Sequence, residues 1–286
     1  MAEQLFASVA DGFLIGFVYG LASMGLSLIW GVMGVINLAH GAVMALGMFG
    51  VYMFFAGLGL HPYLALPLVA LVGLGFGAIM YWVAVHRVIN APHLSSLLAT
   101  FAVNLILIGV GTTVFTTTPR AVDLNMGRLQ AGAVTLLGTR LVAALIALLV
   151  TGALYLFLYR TKPGKAIRAV ANNRAAASLM GIPAARTLAL SFGIGTMLAA
   201  LAGGLIATFF PFTILSGSGY ETKAFVICVL GGLGNPTGAL VGGLILGMME
   251  GIIPVFLPVT WVPVIEFVLF VLILLIRPSG LLGGRA

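Results

Sequence analysis

The chain has 286 residues, 62% of them hydrophobic and 7% charged, with a mean hydropathy of +1.22. Soluble domains run near half apolar and a quarter charged. That difference excludes a soluble enzyme, a disordered chain and a nucleic-acid binder, despite a net charge of +7 and a pI near 10. What remains is a polytopic helical membrane protein.

A helix needs about 20 apolar residues to span the hydrocarbon, so this length allows roughly eight to ten crossings. The expected spans, in chain order, are 4–29, 36–57, 62–85, 94–116, 140–159, 187–210, an interrupted segment over 222–257, and 261–276. The run LVAALIALLVTGALYLFLY at 141–159 is apolar on every side, as a lipid-embedded helix should be. The alternating ten-residue segments of a β-barrel do not occur. The expectation is an all-α transmembrane bundle with about eight to nine crossings, forming a single domain over 1–286. No Lys or Arg precedes Arg87, so the first segment lacks the basic flank of a signal peptide and is expected to be a retained helix. Cys228 lies inside a span, and as the only cysteine it excludes an internal disulfide and a Cys-based metal site.

Two segments interrupt the helical pattern. GVMGVINLAHG at 31–41 is the first, and GGLGNPTG at 231–238 is the second. Such breaks free backbone groups that lipid cannot satisfy, so each must lie within protein or beside a watery cavity. Paired breaks in two halves point to a transport site. Asn37, His40 and Gly41 belong to the first, and Gly231, Gly232, Gly234 and Asn235 to the second. Thr100 and Asn104 share one helical face and could bond a neighbouring helix or line a path. Glu250 and Glu266 fall in apolar surroundings, where a charge faces protein or water. For His40 and Glu250 the plain alternative is a packed, hydrogen-bonded structural residue. Glycines four apart, as in Gly16/Gly20, Gly73/Gly77, Gly243/Gly247 and Gly247/Gly251, suit close helix packing.

Charge sets the direction. Arg160, Lys162, Lys165, Arg168, Arg174 and Arg186 cluster in 160–186, a stretch with no acidic residue. With that loop cytoplasmic, alternation puts Arg87, Arg277 and Arg285 inside as well, the N-terminus outside and the C-terminus inside. The outer side receives Glu3, Asp11, Asp123 and Glu221, with Arg120, Arg128, Arg140 and Lys223. Helix centres are then almost empty of ionisable groups, which speaks against a proton-coupled carrier. A phosphate loop is also missing: Gly164-Lys165 is followed by Ala, so ATP cannot be bound by that device. No His pair has metal spacing with a carboxylate partner.

The loop itself reads as a short helix from Lys165 to Met180, opened by Pro163 and closed by Gly181. By composition it is either a basic helix lying on anionic lipid or a docking element. RAAASLMG (174–181) resembles the EAA-xxx-G coupling loop of ABC-importer membrane subunits, with Ala175 where Glu is usual. More closely, GVINLAHGAVMALGMFGVY (34–52), GKAIRAVANNRAAASLMGI (164–182), GGLGNPTGALVGGLILGMMEG (231–251) and LILLIRPSGLLG (272–283) resemble LivH-type branched-chain amino-acid ABC permeases. Related permeases for urea, short amides and other amino acids share these motifs.

The resemblance implies a membrane permease subunit of the bacterial inner membrane and no enzyme activity. Its implied partners are a second, LivM-type permease, two ATPase subunits that use the ATP, and an extracytoplasmic binding protein; it implies no cofactor of its own. Gly164, Arg168, Asn172, Ala175, Ala176, Ala177 and Gly181 would then dock the ATPase, and the two breaks would lie at the pore. A stand-alone channel and a secondary carrier are the competing classes.

Overall fold

A computed structural model describes residues 2–124, 126–131 and 134–283. Arg285 and the side chain of Glu3, both used above to orient the chain, lie outside the described residues. The helices are α1 (Ala2–Met33), α2 (His40–Leu58), α3 (Pro62–Met80, prolonged by a π-helical turn Tyr81–Val85), α4 (His93–Phe115), α5 (Gly138–Arg160), α6 (Lys162–Asn172), α7 (Arg174–Leu179), α8 (Ala184–Ile206), α9 (Ser216–Gly231), α10 (Pro236–Phe256) and α11 (Val262–Ile276). Eight of these elements are long and apolar enough to cross a membrane: α1 to α5, α8, α10 and α11 with its preceding turn. The all-α expectation holds. One short antiparallel hairpin was not expected, β1 (Arg128–Ala131) with β2 (Val134–Leu137). It joins α4 to α5, where backbone that has left a helix still has to pair its polar groups.

α1 and α8 form the centre of the bundle, and 83% and 89% of their spans are buried, against 11% for α4 and α11. Lipid gives apolar helices no hydrophobic reason to associate, so close backbone packing must hold them. The glycines supply it. Along α1 and α10, Ser8 meets Gly251, Gly12 meets Gly247 and Gly16 meets Gly243, and Gly31 meets Gly234 just before α10. A Cβ on Gly12 or Gly247 would strike the main chain of the other helix. The four pairs of glycines singled out in the sequence all pack against neighbouring helices, with Gly73 and Gly77 on α8.

This pairing sets direction. α10 is antiparallel to α1, and so is α8, with Ile29 beside Gly195 and Gly25 beside Leu198. α8 and α10 therefore run the same way, and α9 must bring the chain back between them. It does so in 16 residues, antiparallel to α10, with Gly231 on Gly238 and Ile227 near Gly242. The interrupted segment 222–257 is thus a helical hairpin with one short arm and one full span. Its short arm starts at Ser216 and not at 222, because the polar run SGSGYE is helical where it packs against α2.

Candidate functional site

The basic loop folds as an elbow of two helices rather than the single helix expected. Thr161 caps α6 by accepting the Gly164 N–H at 3.1 Å, with Pro163 in the first turn. Asn173 leaves helical geometry (φ −156°) and caps α7, accepting the Ala176 N–H at 3.0 Å. α7 ends in a Schellman motif: Ile182 N–H bonds Ala177 C=O at 3.1 Å and Gly181 N–H bonds Ser178 C=O at 3.0 Å. Gly181 takes the left-handed conformation this requires (φ +79°).

The elbow has two faces. Ile167, Val170 and Ala177 turn inward and are buried. Gly164 is buried against Phe157 and Leu158 of α5, with no room for a Cβ. Arg168 is exposed, yet its Nε donates to Leu158 C=O at 3.2 Å and its guanidinium lies 4.4 Å from the Tyr159 ring centroid. Asn172, Ala175 and Ala176 face outward. Beside them stand Leu179 and Met180, 89% and 82% exposed. The sequence reading missed these two, although apolar side chains next to an outward Ala pair are the signal of a docking knob. Arg174 ties α7 to the connection before α4, donating to Asn90 Oδ1 at 3.2 Å.

The two breaks are built differently. In the first, Asn37 is buried and its Oδ1 accepts the Ala39 N–H at 3.1 Å. Thr100 of α4 staples this segment, donating to Ile36 C=O at 3.0 Å and accepting from Leu38 N–H at 3.3 Å. His40 is buried, with Nε2 2.9 Å from Ala22 C=O halfway along α1. Asn37 Nδ2, His40 Nδ1 and Asn104 Oδ1 are buried without partners. Gly41, at the start of α2, packs on Gly217 and on Glu221 of α9.

The second break is saturated. Asn235 Oδ1 accepts from Thr237 N–H (3.0 Å) and Gly238 N–H (3.2 Å), and its Nδ2 donates to Leu282 C=O at 2.8 Å. Leu281 and Leu282 N–H groups return bonds to Leu230 and Gly231 C=O. Gly232 adopts φ +109° against the main chain of Ser279 and Gly283. Gly234 packs on Gly31 and shares a cavity of about 260 Å³ with Asn235, Thr237, Tyr155, Tyr159 and Arg168. The second break and the elbow therefore open onto the same space.

At the other end of α1, charges converge that the sequence scattered. Asp11 pairs with Arg140 and Lys223 pairs with Glu250, all four around one cavity of about 370 Å³. Arg140 lies 5.2 Å from the Phe210 ring centroid and Lys223 lies 5.1 Å from that of Tyr19. Glu221, expected outside the helical segment that begins at 222, sits in the helix α9. Partners 129 and 27 residues apart leave no local motif. The available signal was arithmetic: two cations and two anions among apolar spans have to find one another.

Eight apolar spans around two interrupted helices, both embedded in protein, are the architecture of a membrane permease. The family model for the permease component of branched-chain amino acid transport systems matches residues 8–276, and the chain belongs to that family. The high-affinity branched-chain amino acid transport system permease protein LivH of Salmonella typhimurium is 31% identical, over 98% of this chain and 95% of its own. BraD of Pseudomonas aeruginosa, another high-affinity branched-chain amino acid transport system permease protein, is 28% identical over 96% and 94%. No solved structure matches the chain. The chain is a multi-pass membrane transport permease and not an enzyme.

Proposed function

We propose that this chain is one permease subunit of an ABC importer for branched-chain amino acids, paired with a second, LivM-type permease. Two ATPase subunits sit on the cytoplasmic side, where the elbow α6–α7 docks the ATPase, and an extracytoplasmic binding protein delivers substrate at the opposite end. The N-terminus is then outside and the C-terminus cytoplasmic, since the stretch 160–186 with its six basic residues belongs inside.

The observation that carries this reading is the elbow's outward face. A helix resting on lipid would turn its apolar side chains to the bilayer and its cations to the headgroups. Here one apolar face is already used against the chain's own bundle, and Leu179 and Met180 project beyond it. Exposed apolar side chains of that size fit a cleft on a partner. Coupling follows from the shared cavity: Arg168 moves with α6, and the second break lines the same space. The path runs along α1, from the charged cavity past Gly41, His40 and Asn37 to Gly231–Asn235, and Thr100 holds the first break in register. Glu250 stands at its outer end.

Reconstitution tests this. Liposomes holding the chain with its partners, binding protein and ATP should accumulate leucine, and omission of any one component should abolish uptake. Flux through the chain alone would make it a channel, and flux that follows a proton or sodium gradient would make it a secondary carrier. Uptake of urea or acetamide in place of leucine would keep the permease and change its substrate.

A further inference from the structure

We infer that the Lys223–Glu250 ion pair is the recognition site for the zwitterionic head group of the substrate, opening to receive an ammonium on Glu250 and a carboxylate on Lys223. The inference rests on the permease reading above and names the site within it.

The pair stands between two cavities. One, of about 370 Å³, reaches Asp11 and Arg140 and is walled by Ile15, Pro254 and Val262. The other, of about 360 Å³, lies one or two turns further along α1 and is lined by Tyr19, Ser216, Gly219 and Tyr220. Phe210, Lys223 and Glu250 belong to both linings. A molecule passing from one cavity to the other must part the pair or go round it. Both volumes fall toward the lower end of the range of small-molecule sites, about 300–1,000 Å³.

Charge bookkeeping then selects the ligand class. An ion pair set among apolar walls is costly to break, because each partner is left desolvated and alone. A neutral amide offers neither charge a replacement. A singly charged ligand satisfies one partner and strands the other. A zwitterion satisfies both at once and leaves the number of paired charges unchanged or higher. Among common small solutes this is the chemistry of an α-amino acid. The second observation is Glu266 on α11. It is 5% exposed, one of its carboxylate oxygens has no partner, and it lies within electrostatic reach of both Lys223 and Glu250. With Asp11 and Glu250 it makes three carboxylates for the two cations Arg140 and Lys223. The Tyr19 and Tyr220 rings, beside the second cavity, give an incoming ammonium aromatic faces, while Ile15, Phe210 and Val262 accept an aliphatic side chain.

The test uses the complete transporter in liposomes, with Lys223→Met, Glu250→Gln and the double variant. Recognition predicts that all three lose leucine uptake by at least about tenfold, because losing one partner of a desolvated charge contact is worth that much or more. A purely structural pair predicts that the double variant, which leaves no lone charge, recovers to within roughly twofold of the parent. That recovery would overturn the inference. Should the variants fail to insert, the unmodified transporter decides, using photo-leucine as the probe in the absence of binding protein. Labelling should fall on peptides carrying Ile15, Phe210 or residues 254–263, and should be suppressed by leucine but not by 4-methylpentanoate or isopentylamine. Labelling elsewhere, or equal suppression by the singly charged analogues, contradicts it. Partner-independent uptake would overturn the importer reading instead, and the labelling would still decide the site.

Discussion

The two helix breaks look alike in sequence, each with an Asn and a following glycine-rich helix, yet they end in opposite states. At 232–235 every polar atom of Asn235 is used, and the C-terminal segment returns two more bonds to the end of α9. At 34–39 Thr100 staples the backbone, but Asn37 Nδ2 and His40 Nδ1 remain buried and unpaired. An unpaired buried donor is worth about 1–3 kcal/mol against the arrangement that holds it. The difference teaches that a break inside a bundle is either a fixed joint or a joint with something to gain by moving. Accounting for the side-chain polar atoms, not the sequence motif, tells which.

The largest effect should come from locking the fixed joint out of shape. Gly232→Val adds a Cβ against the main chain of Gly283 at a positive φ, so the C-terminal segment cannot close on α9. The expected loss is about 3 kcal/mol or more, seen as failure to purify as a monodisperse species. Asn235→Leu removes two caps and the bond to Leu282, for about 2 kcal/mol, read as a lowered unfolding temperature in detergent. Thr100→Val keeps the shape but leaves Leu38 N–H and Ile36 C=O unpaired, an expected loss of about 1–2 kcal/mol together with slower uptake. The smallest stability change belongs to Asn37→Leu, below about 1 kcal/mol, because one bond is lost while an unpaired donor is also removed. Its uptake should nonetheless fall more than that of Asn235→Leu measured at equal amounts of inserted protein. Equal losses of uptake and stability in the two Asn variants would erase the distinction between the breaks.

Much of the fold was legible because lipid imposes a strict rule on apolar length. The span expected at 140–159 is α5 at 138–160, and that at 62–85 matches α3 with its π-helical turn. The rule fails where polar residues are helical inside protein. Ser216–Glu221 reads as a loop by composition, and becomes helix because α2, through Gly41, packs against it. In the elbow, Asn173 reads as an interior residue of one helix until its side chain is seen capping α7 at Ala176. The charged cavity was illegible because its partners come from α1, α5, α9 and α10, elements far apart in the chain whose adjacency no local pattern announces. Gly181, by contrast, was expected to end its helix in a left-handed conformation and does.

Coupling through the elbow is the central claim, and one substitution addresses it directly. Ala176 faces outward beside Leu179 and Met180, so a large side chain there leaves the bundle untouched and fills the space a docking partner needs. The measurement is ATPase activity of the assembled transporter carrying Ala176→Trp, with and without substrate-loaded binding protein. The account predicts a normally inserted permease whose ATPase subunits dissociate on purification or no longer respond to the loaded binding protein. ATPase subunits that co-purify and respond as in the parent would contradict it and remove the elbow as the docking site.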